Sequence, residues 1–203
     1  MRARLLTGRQ LHDEVIRARL LGARRSVLIA TANVKAMLVE SGGRWIPIIE
    51  ALAELARRGV ETRILHADRP SRPFRDALQR HRRALAGRLE MRVCPRVHFK
   101  LVLVDGGWAY LGSANLTGAG LGAKDEARRN FEIGLGTDDP EVLDHADAVF
   151  HAVWNGAECG ACRLRDLCPA PLGPAAPRAA RRRPSGAPSG LELGRPRRLP
   201  IPR

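Results

Sequence analysis

The sequence VHFKLVLVDGGWAYLGSANLTGAGLG, residues 97–122, is the stretch around which the rest of this chain is organised. Phe99–Val104 and Trp108–Leu111 are apolar runs of strand length. Asp105-Gly106-Gly107 between them favours a tight hairpin turn, because glycine adopts positive φ at no steric cost. Side chains alternate along a strand, so His98 and Lys100 are expected to project from the same face. The stretch therefore predicts a β-hairpin that presents an imidazole and an ammonium group together at one end of a sheet.

A small polar turn, Gly112-Ser113-Ala114-Asn115, follows the second predicted strand. Its hydroxyl and amide groups are placed to reach an anion bound beside His98 and Lys100. A nucleophile or base, a fixed positive charge and two neutral donors are what phosphoryl chemistry requires when no metal ion takes part. The residue types of this stretch therefore indicate a phosphate site.

Helical and strand patterns alternate through the rest of the chain up to residue 154. Segment 34–39 is expected to be irregular or a short helix, and 40–44 a loop. Gly59 fits the left-handed position that closes many helices, and Asp138-Asp139-Pro140 fits the start of another. The order of elements indicates an α/β fold with a mixed β-sheet flanked by helices. The predicted helices span 9–23, 45–58, 74–85 and 140–154, and the other predicted strands span 26–31, 61–66, 89–94 and a segment from 130.

The charge of the chain favours a polyanionic partner, nucleic acid before membrane. The chain has 35 Lys and Arg against 21 Asp and Glu, and residues 163–203 contain ten of the arginines with two acids. Two interpretations stay open for this tail and for the arginine-rich helix at 74–85: contact with a phosphate backbone, or a solvated face. No apolar run approaches the roughly 20 residues of a membrane span, and the N-terminus lacks a secretory signal. A cytoplasmic protein is expected.

Composition divides the chain into three regions. Residues 1–155 are long enough and apolar enough for one domain. Residues 156–169 contain three of the four cysteines. Residues 170–203 are rich in Pro, Ala, Gly, Ser and Arg, and we expect them to be disordered because they cannot bury enough apolar surface to offset the entropy of ordering.

The motif residues resemble the signature of the phospholipase D superfamily over about residues 9–154. His98-x-Lys100-x-x-x-x-Asp105 corresponds to its HxKxxxxD motif, and Gly112-Ser113-x-Asn115 to the G-S-x-N that follows. Glu132, in Asn130-x-Glu132, corresponds to the downstream acidic residue. The spacing matches at every motif position, so the resemblance implies a phospholipase D-like fold.

The resemblance also implies a metal-independent phosphodiesterase, with no cofactor for catalysis. His98 would attack phosphorus and form a phosphohistidine. Lys100 and Asn115 would hold the non-bridging oxygens through hydrogen bonds that strengthen as charge develops, and Ser113 would assist there.

Two acidic residues have supporting roles in this comparison. Glu132 would hydrogen-bond a catalytic imidazole, which fixes its tautomer and raises its basicity. Asp105 supports the motif structurally more than chemically, in agreement with its place at the Gly-Gly turn.

The mechanism requires two histidines, one as nucleophile and one to protonate the leaving oxygen. None of the other histidines lies in a second His-x-Lys motif. Family members with one motif are homodimers whose two motifs meet at a two-fold axis, so the resemblance implies a homodimer with one composite site.

Three cysteines follow the predicted domain as Cys159-x-x-Cys162-x5-Cys168, a spacing typical of metal ligands. The cluster resembles the C-terminal cysteines of RecB-like nucleases, which carry a 4Fe–4S cluster and use a fourth, upstream cysteine. Cys94 is the upstream cysteine of this chain. A structural 4Fe–4S cluster, a zinc site and free thiols all remain open, whereas a cytosolic disulfide is disfavoured.

We predict a nuclease that cleaves DNA or RNA as a homodimer. A phospholipid phosphodiesterase or phosphatidyltransferase is the alternative among enzymes. A nucleic-acid-binding accessory subunit of a defence or repair complex is the alternative among binding proteins.

Overall fold

The computed structural model describes residues 3–175, so residues 176–203 of the predicted tail lie outside the described residues. The strands are β1 (Ala3–Thr7), β2 (Ser26–Thr31), β3 (Leu38–Ser41), β4 (Arg44–Pro47), β5 (Glu61–His66), β6 (Leu89–Val93), β7 (Lys100–Val104), β8 (Trp108–Gly112) and β9 (Ile133–Thr137). The helices are a π-helix (Leu11–Leu20), α1 (Ile48–Arg57), α2 (Arg72–Arg80), α3 (Arg82–Leu85), α4 (Pro140–Trp154) and two short 3₁₀ turns, Glu126–Arg128 and Arg165–Leu167.

Seven strands form one mixed sheet in the order β1-β9-β8-β7-β2-β5-β6. The pairs β2·β5 and β5·β6 are parallel, and the other four pairs are antiparallel. One face packs against the π-helix, α1 and α2, and the other packs against α4. The predicted α/β fold, with a mixed sheet flanked by helices, is confirmed. None of the helices within residues 3–175 is long and apolar enough to cross a membrane.

The region between β2 and α1 differs from the prediction of irregular chain followed by a long helix. It forms a β-hairpin, β3·β4, which closes through Gly42 and Gly43 with φ of 57° and 73°. Two consecutive positive-φ residues match the primed hairpin turns. Helix α1 starts only after Pro47, whose ψ of 140° is extended, so Trp45 lies in the hairpin and is 49% exposed. The apolar pattern of residues 45–58 was misleading because its first residues pack as a strand.

Smaller differences concern element ends and one strand that the pattern did not predict. β1 was not predicted; it pairs with β9, where Leu6 is buried. The basic helix starts at Arg72 and breaks at His81 into α2 and α3. Gly59 has φ of 89°, as expected for a helix-closing residue, and the Asp139 carboxylate caps α4 by accepting from the Glu141 amide at 3.0 Å.

Candidate active site

The motif residues other than Asp105 come together at one edge of the sheet because neighbouring antiparallel strands start and end there. Lys100, the first residue of β7, pairs with Gly112, the last of β8, and Gly112 pairs with Gly134 of β9. β2 ends at the same edge, beside the start of β7, since Ala30 pairs with Leu101. The hairpin β7·β8 and the later strand β9 therefore bring the HxK, GSxN and Asn-x-Glu residues to one place.

Asp105 lies at the opposite end of β7 and organises the hairpin turn. Asp105 and Gly106 have φ of 55° and 65°, and the Gly107 amide donates to the Val104 carbonyl at 3.0 Å. The Asp105 carboxylate accepts from the backbone amides of residues 24, 25 and 26 at 2.7–3.2 Å. Burial opposes its charge, but these backbone hydrogen bonds outweigh that effect and hold the pKa of Asp105 below its usual value. The geometry places Asp105 in a structural position, away from the other motif residues.

His98 and Lys100 lie side by side, as expected, although His98 precedes the strand. The Lys100 Nζ is 3.4 Å from the His98 Nε2 and donates to the His98 carbonyl at 2.7 Å. The His98 side chain is exposed, and Lys100 is half-buried. An ammonium group has three donors, so Lys100 keeps donors for an anion in front of the imidazole.

Asn115 is held by its side-chain oxygen. Its Oδ1 accepts from the Ala32 amide at 3.1 Å, the Asn33 amide at 3.2 Å and the Thr31 hydroxyl at 3.0 Å. Backbone amides only donate, so the atom facing them is the oxygen and the Nδ2 group is directed elsewhere. The Nδ2 group of Asn115 is therefore not used by these three contacts, and its donation to a phosphate stays a prediction.

Ser113 and Glu132 form a hydrogen-bonded pair across the gap between β8 and β9. The Ser113 hydroxyl donates to the Glu132 carboxylate and accepts from the Ile133 amide at 3.1 Å. Asn130 donates its Nδ2 to the other carboxylate oxygen at 3.1 Å. The structure thus shows Glu132 hydrogen-bonded to Ser113 and Asn130. Its contact with a catalytic imidazole stays a prediction.

Tyr110 supports the GSxN turn from the hydrophobic core. Its ring is fully buried, and its hydroxyl accepts from the Ala114 amide at 3.1 Å. Desolvation raises the pKa of Tyr110 to about 12, so the phenol stays protonated. Glycine is required on both sides of the ring: a Cβ on Gly134 would overlap the ring, and one on Gly112 would lie 2.7 Å from the Gly134 Cα.

The glycine-rich loop that follows Asn115 is fixed from two directions. The Arg129 guanidinium donates to the carbonyls of Gly122, Gly8 and Gly120 at 2.6, 3.0 and 3.3 Å. The buried His12 donates from Nδ1 to the Leu121 carbonyl at 3.0 Å and accepts from an amide of β3 at Nε2. Desolvation lowers the pKa of His12, which is consistent with this neutral tautomer. These two residues rigidify the loop beside the site.

Two further polar residues at strand ends, His66 and Asn33, take part in local hydrogen bonds. His66 is buried at the end of β5, donates from Nδ1 to the Asp68 carbonyl at 2.9 Å, and has a pKa lowered by desolvation. The Asn33 amide supports Asn115. His66 is therefore a capped histidine, and Asn33 contributes its backbone to the site.

Four residues that support the site have no signal of this role in the sequence patterns: Thr31, Tyr110, His12 and Arg129. Tyr110 is the only tyrosine of the chain and lies two residues before Gly112. Thr31 ends an apolar strand beside two other small residues. His12 contacts a loop that lies about a hundred residues further along the chain, and Arg129 contacts the same loop from just after it. No spacing of residue types in the sequence reveals these contacts.

The cysteines lie next to this edge. Cys94, Cys159 and Cys162 line one cavity between the end of α4 and the segment before His98, and Cys168 lies beyond its lining. Within residues 3–175, no group of three Cys, His, Asp or Glu side chains is arranged to hold a metal ion.

Several solved structures resemble the chain at low sequence identity. Nuc, a phospholipase D family member from Salmonella typhimurium, matches with a TM-score of 0.53 and 18% identity over 76% of this chain and 95% of its own. NucT from Helicobacter pylori matches with a TM-score of 0.51 and 19% identity over 75% of this chain and 95% of its own. TrmBL2, an archaeal chromatin protein, matches with a TM-score of 0.49 and 18% identity over 76% of this chain, which spans about half of that protein (52%). A comparison with curated protein sequences finds no match.

A family model gives the assignment. The family described as "Cardiolipin synthase, PLD-like domain" matches residues 16–154, which include the HxKxxxxD, GSxN and Asn-x-Glu residues and every strand of the sheet from β2 to β9. The fold agrees with that of the solved phospholipase D family member. The chain therefore belongs to the phospholipase D-like family and is a hydrolase of the phosphodiesterase class.

Proposed function

We propose that this protein is a metal-independent nuclease that cleaves nucleic acid through a phosphohistidine as a homodimer. The observation that carries the proposal is the convergence of an exposed His98, the Lys100 ammonium and the Asn115 side chain at one sheet edge.

The first chemical step forms a nitrogen–phosphorus bond. An imidazole nitrogen of His98 attacks the phosphorus, and the bond from phosphorus to the leaving oxygen breaks. The leaving oxygen takes a proton from a second imidazolium. Lys100 and the Asn115 amide bind the non-bridging oxygens, where preorganised donors stabilise the developing charge.

The second step hydrolyses the phosphohistidine. Water attacks phosphorus, its proton passes to the second imidazole, and the bond to His98 breaks. Each oxygen of Glu132 has lone pairs beyond those used by Ser113 and Asn130, so Glu132 is the candidate to hold the N–H of a catalytic imidazole.

The second imidazole is supplied, in this proposal, by His98 of the partner subunit. Support comes from the apolar surface beside the site. Leu101, Leu111, Leu135 and Leu5 pair in register across β7, β8, β9 and β1, and α4 covers only the start of this row. Leu5 is 60% exposed, and Phe131, next to Glu132, is fully exposed. Such a continuous apolar patch on a monomer is typical of an interface.

Nucleic acid is the proposed substrate because the sheet edge borders a basic surface. The Lys35 amide donates to the Leu116 carbonyl at 3.0 Å, directly after Asn115, and the Ser71 amide donates to the Val34 carbonyl at 3.0 Å. These bonds bring Lys35 and the start of α2 to the site. Lys35, Arg69 and the arginines of α2 and α3 at 72, 80, 82 and 83 are exposed. A row of cations beside the site suits a phosphate backbone.

The decisive experiment incubates wild type with DNA, RNA and phosphatidylcholine separately, with EDTA present. Cleavage of DNA or RNA by wild type and its loss in His98→Asn are expected. His98→Asn should keep salt-sensitive binding, because affinity comes mainly from phosphate neutralisation. His151→Asn is the matched control, since His151 lies with Asp105 at the opposite end of the strands. Cleavage of the lipid alone, or binding without turnover, would overturn the proposal.

Subunit mixing tests the composite site. If each site needs His98 from both subunits, a mixed dimer of wild type and His98→Asn is inactive. Activity should then fall with the square of the wild-type fraction after unfolding and refolding of mixtures. A linear decrease, or a fully active monomer by light scattering, would rule out the shared site.

A further inference from the structure

The hairpin β3·β4 exposes a tryptophan on a surface that the proposed reaction does not use. Trp45 is 49% exposed, whereas the other two tryptophans of the chain, Trp108 and Trp154, are 6% and 4% exposed. Alternate residues of the hairpin, Val39 and Ile46, are buried in the main core. The hairpin therefore has an inner face, which packs, and an outer face, which presents an indole to solvent.

The outer face holds Trp45 in a defined position. The register pairs Trp45 with Glu40 and Leu38 with Pro47, so these side chains share the outer face, where Leu38 is 51% exposed. The ring of the buried His12 supports the indole from within, with the ring centroids 6.0 Å apart and the planes tilted by 37°. Trp45 is thus supported on one side, and about half of its surface remains open to a ligand.

The exposed charge of the hairpin segment 35–47 is positive. It contains one acidic residue, Glu40, and two basic ones, Lys35 and Arg44. The Glu40 carboxylate lies 3.4 Å from the Arg9 guanidinium and 3.6 Å from that of Arg17, so its charge is neutralised. Lys35 and Arg44 are both exposed, before β3 and at the start of β4. An exposed aromatic ring between two cations is the composition of a surface that binds single-stranded nucleic acid.

This surface is continuous with the candidate active site. Lys100 has the strand alternation of Val102, which packs in the same core as the hairpin, so the Lys100 side chain points to the hairpin's side of the sheet. The Lys35 amide donates to the Leu116 carbonyl at 3.0 Å, in the loop that directly follows Asn115. A polynucleotide with one phosphate at the site can therefore continue past Lys35 toward the outer face of the hairpin.

We propose that Trp45 stacks on an unpaired base of a single-stranded nucleic acid whose phosphates contact Lys35 and Arg44. The inference rests on the proposed function, since it names the form of nucleic acid that the site receives. In a duplex the bases stack on one another and present only their edges in the grooves, so an indole finds a free base face only on a single strand. Every base has such a face, and binding is therefore expected to be tolerant of sequence.

The test measures binding to the His98→Asn variant, which leaves the nucleic acid intact. Because Trp108 and Trp154 are buried, a single-stranded oligothymidylate on the outer face should quench mainly the emission of Trp45. By anisotropy of a labelled oligonucleotide, Trp45→Leu should bind the single strand roughly 5- to 150-fold more weakly, and Trp45→Tyr should retain most of the affinity. Leu38→Ala, which changes the apolar neighbour and no aromatic ring, is the matched control and should bind like the parent.

Four outcomes would overturn the inference. They are unchanged affinity in Trp45→Leu, equal affinity for single strand and duplex, equal losses in Trp45→Leu and Leu38→Ala, and quenching by anionic phospholipid vesicles but not by the oligonucleotide. The last two would indicate a protein or membrane contact. Far-UV circular dichroism checks each fold, and Trp45→Thr, which keeps a strand-forming residue, replaces Trp45→Leu if that variant is unfolded.

Failure of this inference and failure of the proposed function give different results. If wild type cleaves DNA or RNA and Trp45→Leu binds as tightly as its parent, only the stacking role of Trp45 is refuted. If single-stranded nucleic acid binds through Trp45 and wild type cleaves neither DNA nor RNA, only the nuclease is refuted.

Discussion

Replacement of Asn115 by Asp separates the observed role of the side-chain oxygen from the proposed role of the Nδ2 group as a phosphate donor. The Oδ1 atom accepts from the Ala32 and Asn33 amides, and Nδ2 is left to donate to the phosphate. Aspartate has the same shape and keeps an oxygen for both amides. It replaces the donor by a second oxygen that repels phosphate. Asn115→Asp should therefore fold like wild type and lose activity.

The expected magnitudes follow from these contacts. Removal of one donor from a developing oxyanion lowers kcat by about 10²–10³, and the added like charge lowers it further. Asn115→Ala instead leaves the two amides without an acceptor. Each unsatisfied buried donor costs about 1–3 kcal/mol, with the lower end expected for the half-buried Asn33. One kcal/mol corresponds to a shift of roughly 2–4 °C in Tm for a domain of this size.

The assay is single-turnover cleavage of bis(p-nitrophenyl) phosphate with EDTA present, together with urea unfolding of each variant. Asn155→Asp, which adds the same charge at an exposed position after α4, is the control and should remain active. If Asn115→Asp keeps more than a tenth of the activity, Nδ2 is not a phosphate donor. If it is as unstable as Asn115→Ala, an oxygen that accepts from the Ala32 and Asn33 amides does not explain how Asn115 stabilises the fold.

Further predictions test the supports of the site. Gly134→Ala should lower the free energy of unfolding by about 1–3 kcal/mol in urea, since the new Cβ would overlap the Tyr110 ring; an unchanged midpoint would contradict this packing. Tyr110→Phe should lower the free energy of unfolding by about 1–3 kcal/mol and reduce kcat, because the Ala114 amide loses its acceptor. An unchanged kcat would show that the hydroxyl does not position the GSxN turn for catalysis. The folded-state pKa of Asp105 lies below 3.8, so its carboxylate stabilises the fold above about pH 4 and loses that effect as pH falls. The difference in unfolding free energy between wild type and Asp105→Asn should therefore narrow from about pH 6 to pH 3; a constant difference would contradict the depressed pKa. Lys35→Ala should weaken DNA binding equally for all sequences and reduce the salt slope by about one; an unchanged slope would place Lys35 away from the phosphate backbone.

The sequence predicted those helices and strands that depend on short-range patterns of apolar and capping residues. β2 and β5 have the predicted bounds, and α4 starts at its Asp139-Pro140 cap. The hairpin β3·β4 was missed because Trp45 and Ile46 suit an amphipathic helix as well as a strand. Only Gly42 and Gly43, which adopt positive φ, decide between these structures. β1 was missed because its pairing with β9 joins residues about 130 positions apart.

The motif spacing in the sequence was enough to recognise the phospholipase D-like family. The spacing of His98, Lys100 and Asn115 on a strand–turn–strand segment was sufficient, since alternation along a strand and a Gly-Gly turn are local properties. Tertiary structure alone decided how these groups are held. Backbone amides at the end of β2 donate to the Asn115 oxygen, and Ser113 donates to Glu132. Cys94 lines one cavity with Cys159 and Cys162, which follow α4. These contacts depend on which strands pair and in which register, and register is set by the packing of the whole sheet.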